Sequence, residues 1–129
     1  MPVYSRAYDS DNYYPAMPIA EISLLSNLSG ESVVSVIALI DSGADATLLP
    51  IDVLESADAL LYQTRTMRSV TGHSIPVDTY FTIIQVGPYI VRGIKAVALP
   101  AGSEAILGRD VLNQLELILN GPAQELWVA

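Results

Sequence analysis

The sequence predicts an all-β domain, on three observations. Short runs rich in Val, Ile, Thr, Tyr and Leu recur along the chain, turn residues separate them, and no apolar run keeps helical spacing for long. Its 129 residues suffice for one hydrophobic core and fall short of two. Many short strands with turn residues between them are the pattern of a β architecture.

Residues 1–15 mix Tyr4, Tyr8, Tyr13 and Tyr14 with Asp9, Ser10, Asp11 and Asn12 without any period, so a flexible N-terminal arm is expected. The sharper alternative is an arm that docks its tyrosines on a partner or is trimmed after synthesis. Ile19, Ala20, Ile22, Leu24 and Leu25 then read as a strand, and Asn27 to Glu31 as a turn. Val33 to Ile40 return as its hairpin partner, apolar except for Ser35, which predicts cover on both faces. That run stops abruptly at Asp41. Ser42 and Gly43 turn the backbone, and Ala44 to Leu49 resume a mostly apolar run, so a carboxylate is presented where the core opens.

Pro50 opens Ile51 to Leu61, a short helix or irregular segment, since Pro is tolerated at a first helical position. Tyr62 to Val70 and Ile75 to Val86 are strand-like, joined at Thr71, Gly72, His73 and Ser74 in a hairpin tip. Tyr89 to Leu99 adds a strand interrupted by Gly93, and Ala105 to Leu107 a short apolar run ending at Gly108. Arg109 to Glu116 reads as a short helix with Val111, Leu112 and Leu115 on one face. Leu117 to Leu119 is a last inner strand, and Glu125 to Val128 follows the Asn120, Gly121, Pro122 turn. The domain is expected over residues 16–120, with 121–129 as a tail that can supply an interface strand.

Composition narrows the function. Hydrophobic residues are 51% of the chain and charged ones 16%, more apolar surface than a small monomer easily hides. A net charge of −8 without a basic cluster argues against nucleic acid and anionic membranes as partners. With no Cys and only one His, His73, neither thiolate nor multi-histidine metal sites are available, and no cofactor is expected. No stretch has the length and hydropathy of a signal peptide or a membrane span, so a cytoplasmic protein is expected.

An Asp at a strand-to-loop corner followed by Ser and Gly resembles the signature of the aspartic proteases. The wider ALIDSGADATLLP is similar to the retroviral-type, retropepsin-like branch, and ILGRDVL near the C-terminus fits it. The resemblance runs from Ile19 to Leu119. It implies an acid-protease half-barrel with one short C-terminal helix and a flap hairpin, closed by homodimerisation, acting on a peptide or protein substrate. It makes Asp41 the catalytic aspartate, Ser42 the hydroxyl that braces the loop, and Gly43 the small residue that lets substrate backbone approach. Asp45 would contact substrate main chain and pair with Arg109 of Gly108, Arg109 and Asp110. Ala46 and Ile106 would line the substrate site, under a flap tip of Val70, Thr71, Gly72 and His73. The tip carries less glycine than viral flaps, and a lone exposed His at a hairpin tip more often has no special role.

Peptide hydrolysis by this chemistry needs one ionised and one protonated carboxyl around a single water. The chain holds one Asp-Ser-Gly, and none of Asp52, Asp58, Asp78 and Asp110 repeats its setting. Asp41 is therefore expected to meet Asp41 of a second copy across a two-fold axis. Two other readings stay open: a retropepsin-like dimerisation or peptide-binding module with little or no turnover, and a plain β-barrel in which Asp41 is only a turn residue.

Overall fold

The structure, a computed structural model, describes residues 2–129; Met1, the first residue of the expected arm, lies outside them. In chain order the elements are β1 (Tyr4–Ala7), β2 (Ile19–Leu25), β3 (Ser32–Ile40), β4 (Leu48–Pro50), α1 (Ile51–Ser56), β5 (Leu60–Arg68) and β6 (Ser74–Val86). They continue as β7 (Tyr89–Leu99), β8 (Ala105–Leu107), α2 (Arg109–Leu112), β9 (Leu117–Asn120) and β10 (Glu125–Val128). The fold is mostly β, as its composition of short β-branched runs requires.

One sheet runs β2-β3-β8-β4-β7-β6-β5, and a further β2–β6 pairing closes six of these strands into a barrel. β6 makes this possible by its length. Its first half pairs with β5, and Ile83–Val86 pair with Ile22–Leu25 of β2. Ile22, Leu24, Leu49, Ile84 and Leu107 of the barrel strands are fully buried in one core with Leu54 of α1. Burial of each such side chain is worth about 1.5–3 kcal/mol, which makes this interior the main source of stability.

The structure corrects three expectations. Residues 4–7 of the expected flexible arm form β1, which pairs with β10 in a second sheet ordered β1-β10-β9. The Tyr4 hydroxyl accepts the Glu21 N–H at 2.8 Å, and the base of its side chain lies so close to Gly87 that a Cβ there would be 2.8 Å from the Tyr4 Cβ. Backbone pairing and an aromatic anchor thus hold a segment whose polar composition hid them. β3 is covered on one face rather than two, with Val33 48% and Ile37 40% exposed. Both helices are shorter than the apolar spacing indicated. Asp58 takes a positive φ of 53° and stops α1, while beyond Leu112 the chain closes with tighter i−3 bonds, Gln114 N–H to Val111 O and Leu115 N–H to Leu112 O. Among the described residues no helix is long and apolar enough to cross a membrane.

Candidate active site

Asp41 lies one residue beyond β3, and its position follows from a parallel ladder. Ile40 pairs with Leu107 of β8, and the Asp41 N–H continues that ladder by donating to Leu107 O at 3.1 Å. The chain then turns. Gly43 N–H donates to Asp41 Oδ1 at 2.9 Å and Ala44 N–H to Asp41 O at 3.1 Å, so the carboxylate closes its own turn while Asp41, Ser42 and Gly43 remain exposed. A Cβ at Gly43 would meet Asp41 Oδ1 at 3.1 Å, and a larger residue would crowd the carboxylate.

The α2 segment locks this loop from behind. Gly108 approaches so closely that a Cβ on it would lie 2.5 Å from the Ala46 carbonyl carbon and oxygen. Its N–H donates to Thr47 Oγ1 at 3.1 Å, and that hydroxyl donates to Asp110 Oδ1 at 2.7 Å. Asp110 Oδ2 accepts the Thr47 N–H at 3.0 Å, so one buried Thr and one Asp tie the loop to the helix. Arg109 spans the opening: its N–H donates to Ala44 O at 2.9 Å, one guanidinium nitrogen donates to Ser42 O at 2.7 Å, and the other pairs with Asp45. A planar fork suits this double engagement.

The loop floors a groove of about 700 Å³. Asp41, Gly43, Asp45, Ala46 and Ile106 line it, together with Leu48 and Val97. Ser42 turns its carbonyl to Arg109 and does not line the groove. The β5–β6 hairpin overhangs it, with Arg65, Thr66, Met67, Arg68, Val77 and Thr79 in the lining. Val70, Thr71, Gly72 and His73 sit at the exposed tip and do not reach the lining. There Gly72 has φ 86°, and Ser69 N–H donates to His73 O at 2.8 Å. Sequence reasoning missed the hairpin shafts: Arg65 and Val77 are opposed across the strands and share a face, a register visible only once the tip is fixed. It also missed Thr47 and Asp110, whose residue types fit a surface turn equally well.

A larger cavity of about 980 Å³ lies elsewhere, lined by Tyr8, Val36 and Glu104 among others, and the Asp41 loop takes no part in it. At its rim, hydrogen bonds from Asn12 hold the Asp9 carboxyl below the usual carboxylate range, and donation to Glu104 pushes the Tyr13 phenol up. Among the described residues no three or more His, Asp or Glu side chains gather where they could hold a metal ion.

A family model described as "gag-polyprotein putative aspartyl protease" matches residues 30–114, a span holding both the Asp41 loop and the Arg109 clamp. The chain belongs to this family. Aspartyl proteases of the retroviral kind also share its fold. The solution structure of the simian foamy virus (mac) protease covers 74% of this chain and 91% of its own, at 23% identity and a TM-score of 0.53. EIAV protease complexed with the inhibitor HBY-793 covers 84% of this chain and 93% of its own, at 18% identity and a TM-score of 0.57. A retropepsin-like aspartic protease from Rickettsia conorii covers 87% and 92%, at 18% identity and a TM-score of 0.54. No curated protein sequence matches the chain closely enough to count. The expected half-barrel is instead a barrel closed within one chain, and with its overhanging hairpin it is retropepsin-like.

Proposed function

We propose that this member of the aspartyl protease family is a homodimeric endopeptidase whose active site forms between the Asp41 carboxylates of two chains. The observation that carries the proposal is a count of available carboxylates at the groove floor. Asp41 and Asp45 are the two acidic residues lining the groove, and Asp45 is committed to Arg109. A proton-sharing partner for Asp41 must therefore come from another copy.

Two carboxyls about 3 Å apart cannot both ionise comfortably, so a facing pair holds one proton between them. The ionised member takes a proton from the bound water, and the water oxygen attacks the scissile carbonyl carbon. The protonated member stabilises the oxygen on which charge develops. Collapse of the tetrahedral intermediate breaks the C–N bond as a proton passes from the dyad to the leaving nitrogen. Gly43 leaves room for substrate backbone beside Asp41, and Asp45 is placed for contact with substrate main chain. The hairpin tip from Val70 to His73 acts as the flap, closing over a bound peptide.

The second sheet supports a two-fold assembly. β9 is an open edge of the β1-β10-β9 sheet, and Ile118 and Leu119 on it are 43% and 53% exposed. An edge of unpaired backbone groups with exposed apolar side chains suits antiparallel pairing to its own copy.

Asp41→Asn is the direct test. The variant should lose peptide hydrolysis by about a thousandfold or more, with its circular dichroism spectrum and dimer mass unchanged. Turnover near the wild-type rate in that variant would sink the proposal.

A further inference from the structure

Among the six Lys and Arg residues of this acidic chain, three have a visible occupation. Arg6 pairs with Glu21, Arg109 with Asp45, and the Lys95 ammonium sits 4.5 Å from the centre of the Tyr62 ring. Arg65, Arg68 and Arg92 remain, and two of these three line the groove over Asp41. Neither Arg65 nor Arg68 makes an ion pair or a side-chain hydrogen bond among the described residues. The groove's own carboxylates are engaged, Asp41 with the Gly43 N–H and Asp45 with Arg109.

The register places Arg65 on one face of the hairpin. It lies opposite Val77, and Met67 lies opposite Ile75, so these four share one face of the hairpin with Thr79, two residues beyond Val77. Thr79 is fully buried and both Val77 and Thr79 line the groove, so this face meets the groove at its barrel end, while Arg65 and Ile75 nearer the tip stay exposed. The result is an apolar wall of Met67, Val77, Val97, Leu48 and Ile106 interrupted by a cation. An extended peptide sends alternate side chains to opposite sides, so one of them meets that cation while its neighbours meet the floor.

We infer that Arg65, with Arg68 also in the lining, makes the groove selective for peptides that carry an Asp or Glu side chain beside the apolar segment seated in it. This rests on the groove being the peptide site. A guanidinium without a partner on the exposed wall of the groove gains more from a carboxylate than from an isosteric amide, because the charge-assisted bidentate bond is stronger than a neutral one. Arg65 is a specificity residue here and takes no part in the proton transfers.

The test uses peptide pairs identical except for Glu or Gln at one position near the cleaved bond. Cleavage is read as kcat/KM, and binding of the uncleavable reduced-amide versions is read by fluorescence anisotropy. Wild type should favour the Glu member at one position or more by on the order of tenfold. Arg65→Gln should bring that ratio to about one, and Arg65→Glu should turn it towards a Lys-containing peptide. Arg92→Gln, outside the groove, should keep the wild-type ratio. A ratio near one at every position in wild type, or one that survives Arg65→Gln combined with Arg68→Gln, overturns the inference. Peptides cleaved without preference would remove this inference and leave the proteolytic reading standing. Selective binding without hydrolysis would do the reverse, and failure to bind any peptide would overturn both.

Discussion

Thr47 and Thr82 are both buried threonines, 0% and 1% exposed, with opposite surroundings. The Thr47 hydroxyl donates to Asp110 and accepts from Gly108, whereas Thr82 Oγ1 has no hydrogen-bond partner among the described residues. The same substitution should therefore have opposite signs. Thr47→Val leaves the buried Gly108 N–H unsatisfied and should cost about 2 kcal/mol. Thr82→Val removes a hydroxyl that is buried without compensation and should stabilise by up to about 1 kcal/mol. Thermal denaturation of both variants checks the pair; a fall in melting temperature for Thr82→Val, or none for Thr47→Val, would contradict it. This distinction is invisible in sequence, because a threonine in an apolar run carries no mark of what its hydroxyl will meet. Asp41 was legible because its residue type jars with the strand before it. The Asp45–Arg109 contact followed only from family resemblance, since nothing local links positions 64 residues apart.

At the scale of elements, α2 matters less as a helix than as a plug behind the Asp41 loop. It has four residues, too few for helical propensity to hold it, so its docking rests on the close approach of Gly108 to Ala46 and on the Asp110–Thr47 bonds. Gly108→Ala forces backbone apart on one side or the other. It should destabilise by about 3 kcal/mol and lower the melting temperature by about 10 °C, with peptide binding weakened as the loop shifts. A melting temperature within a degree or two of wild type would show that the plug yields cheaply. The β5–β6 hairpin and the β2–β3 hairpin were readable from turn residues between β-branched runs. β1 was not, because its pairing partner β10 lies at the other end of the chain and its four residues carry little apolar signal. The one-sided cover of β3 also escaped the sequence, since an apolar residue reads alike on a buried face and on the wall of an open cavity.

For the whole molecule, the barrel closes within one chain, and its groove presents one Asp41 carboxylate beside the Asp45–Arg109 pair. β6 seals the barrel against β2 and also carries the overhanging hairpin, so one long strand couples core stability to the roof of the groove. The small sheet joins β1 to β10 and β9 and leaves β9 as an open edge. The proposed two-fold dimer requires a single association that covers Ile118 and Leu119 and also supplies the second carboxylate. Mixing wild-type protein with Asp41→Asn at fixed wild-type concentration tests this most directly. If each site needs Asp41 from two chains, random pairing should cut activity to about half at equal amounts and to about a tenth at tenfold excess of the variant. Activity that stays constant as the variant is added, with exchange of subunits verified by mass, would contradict the account.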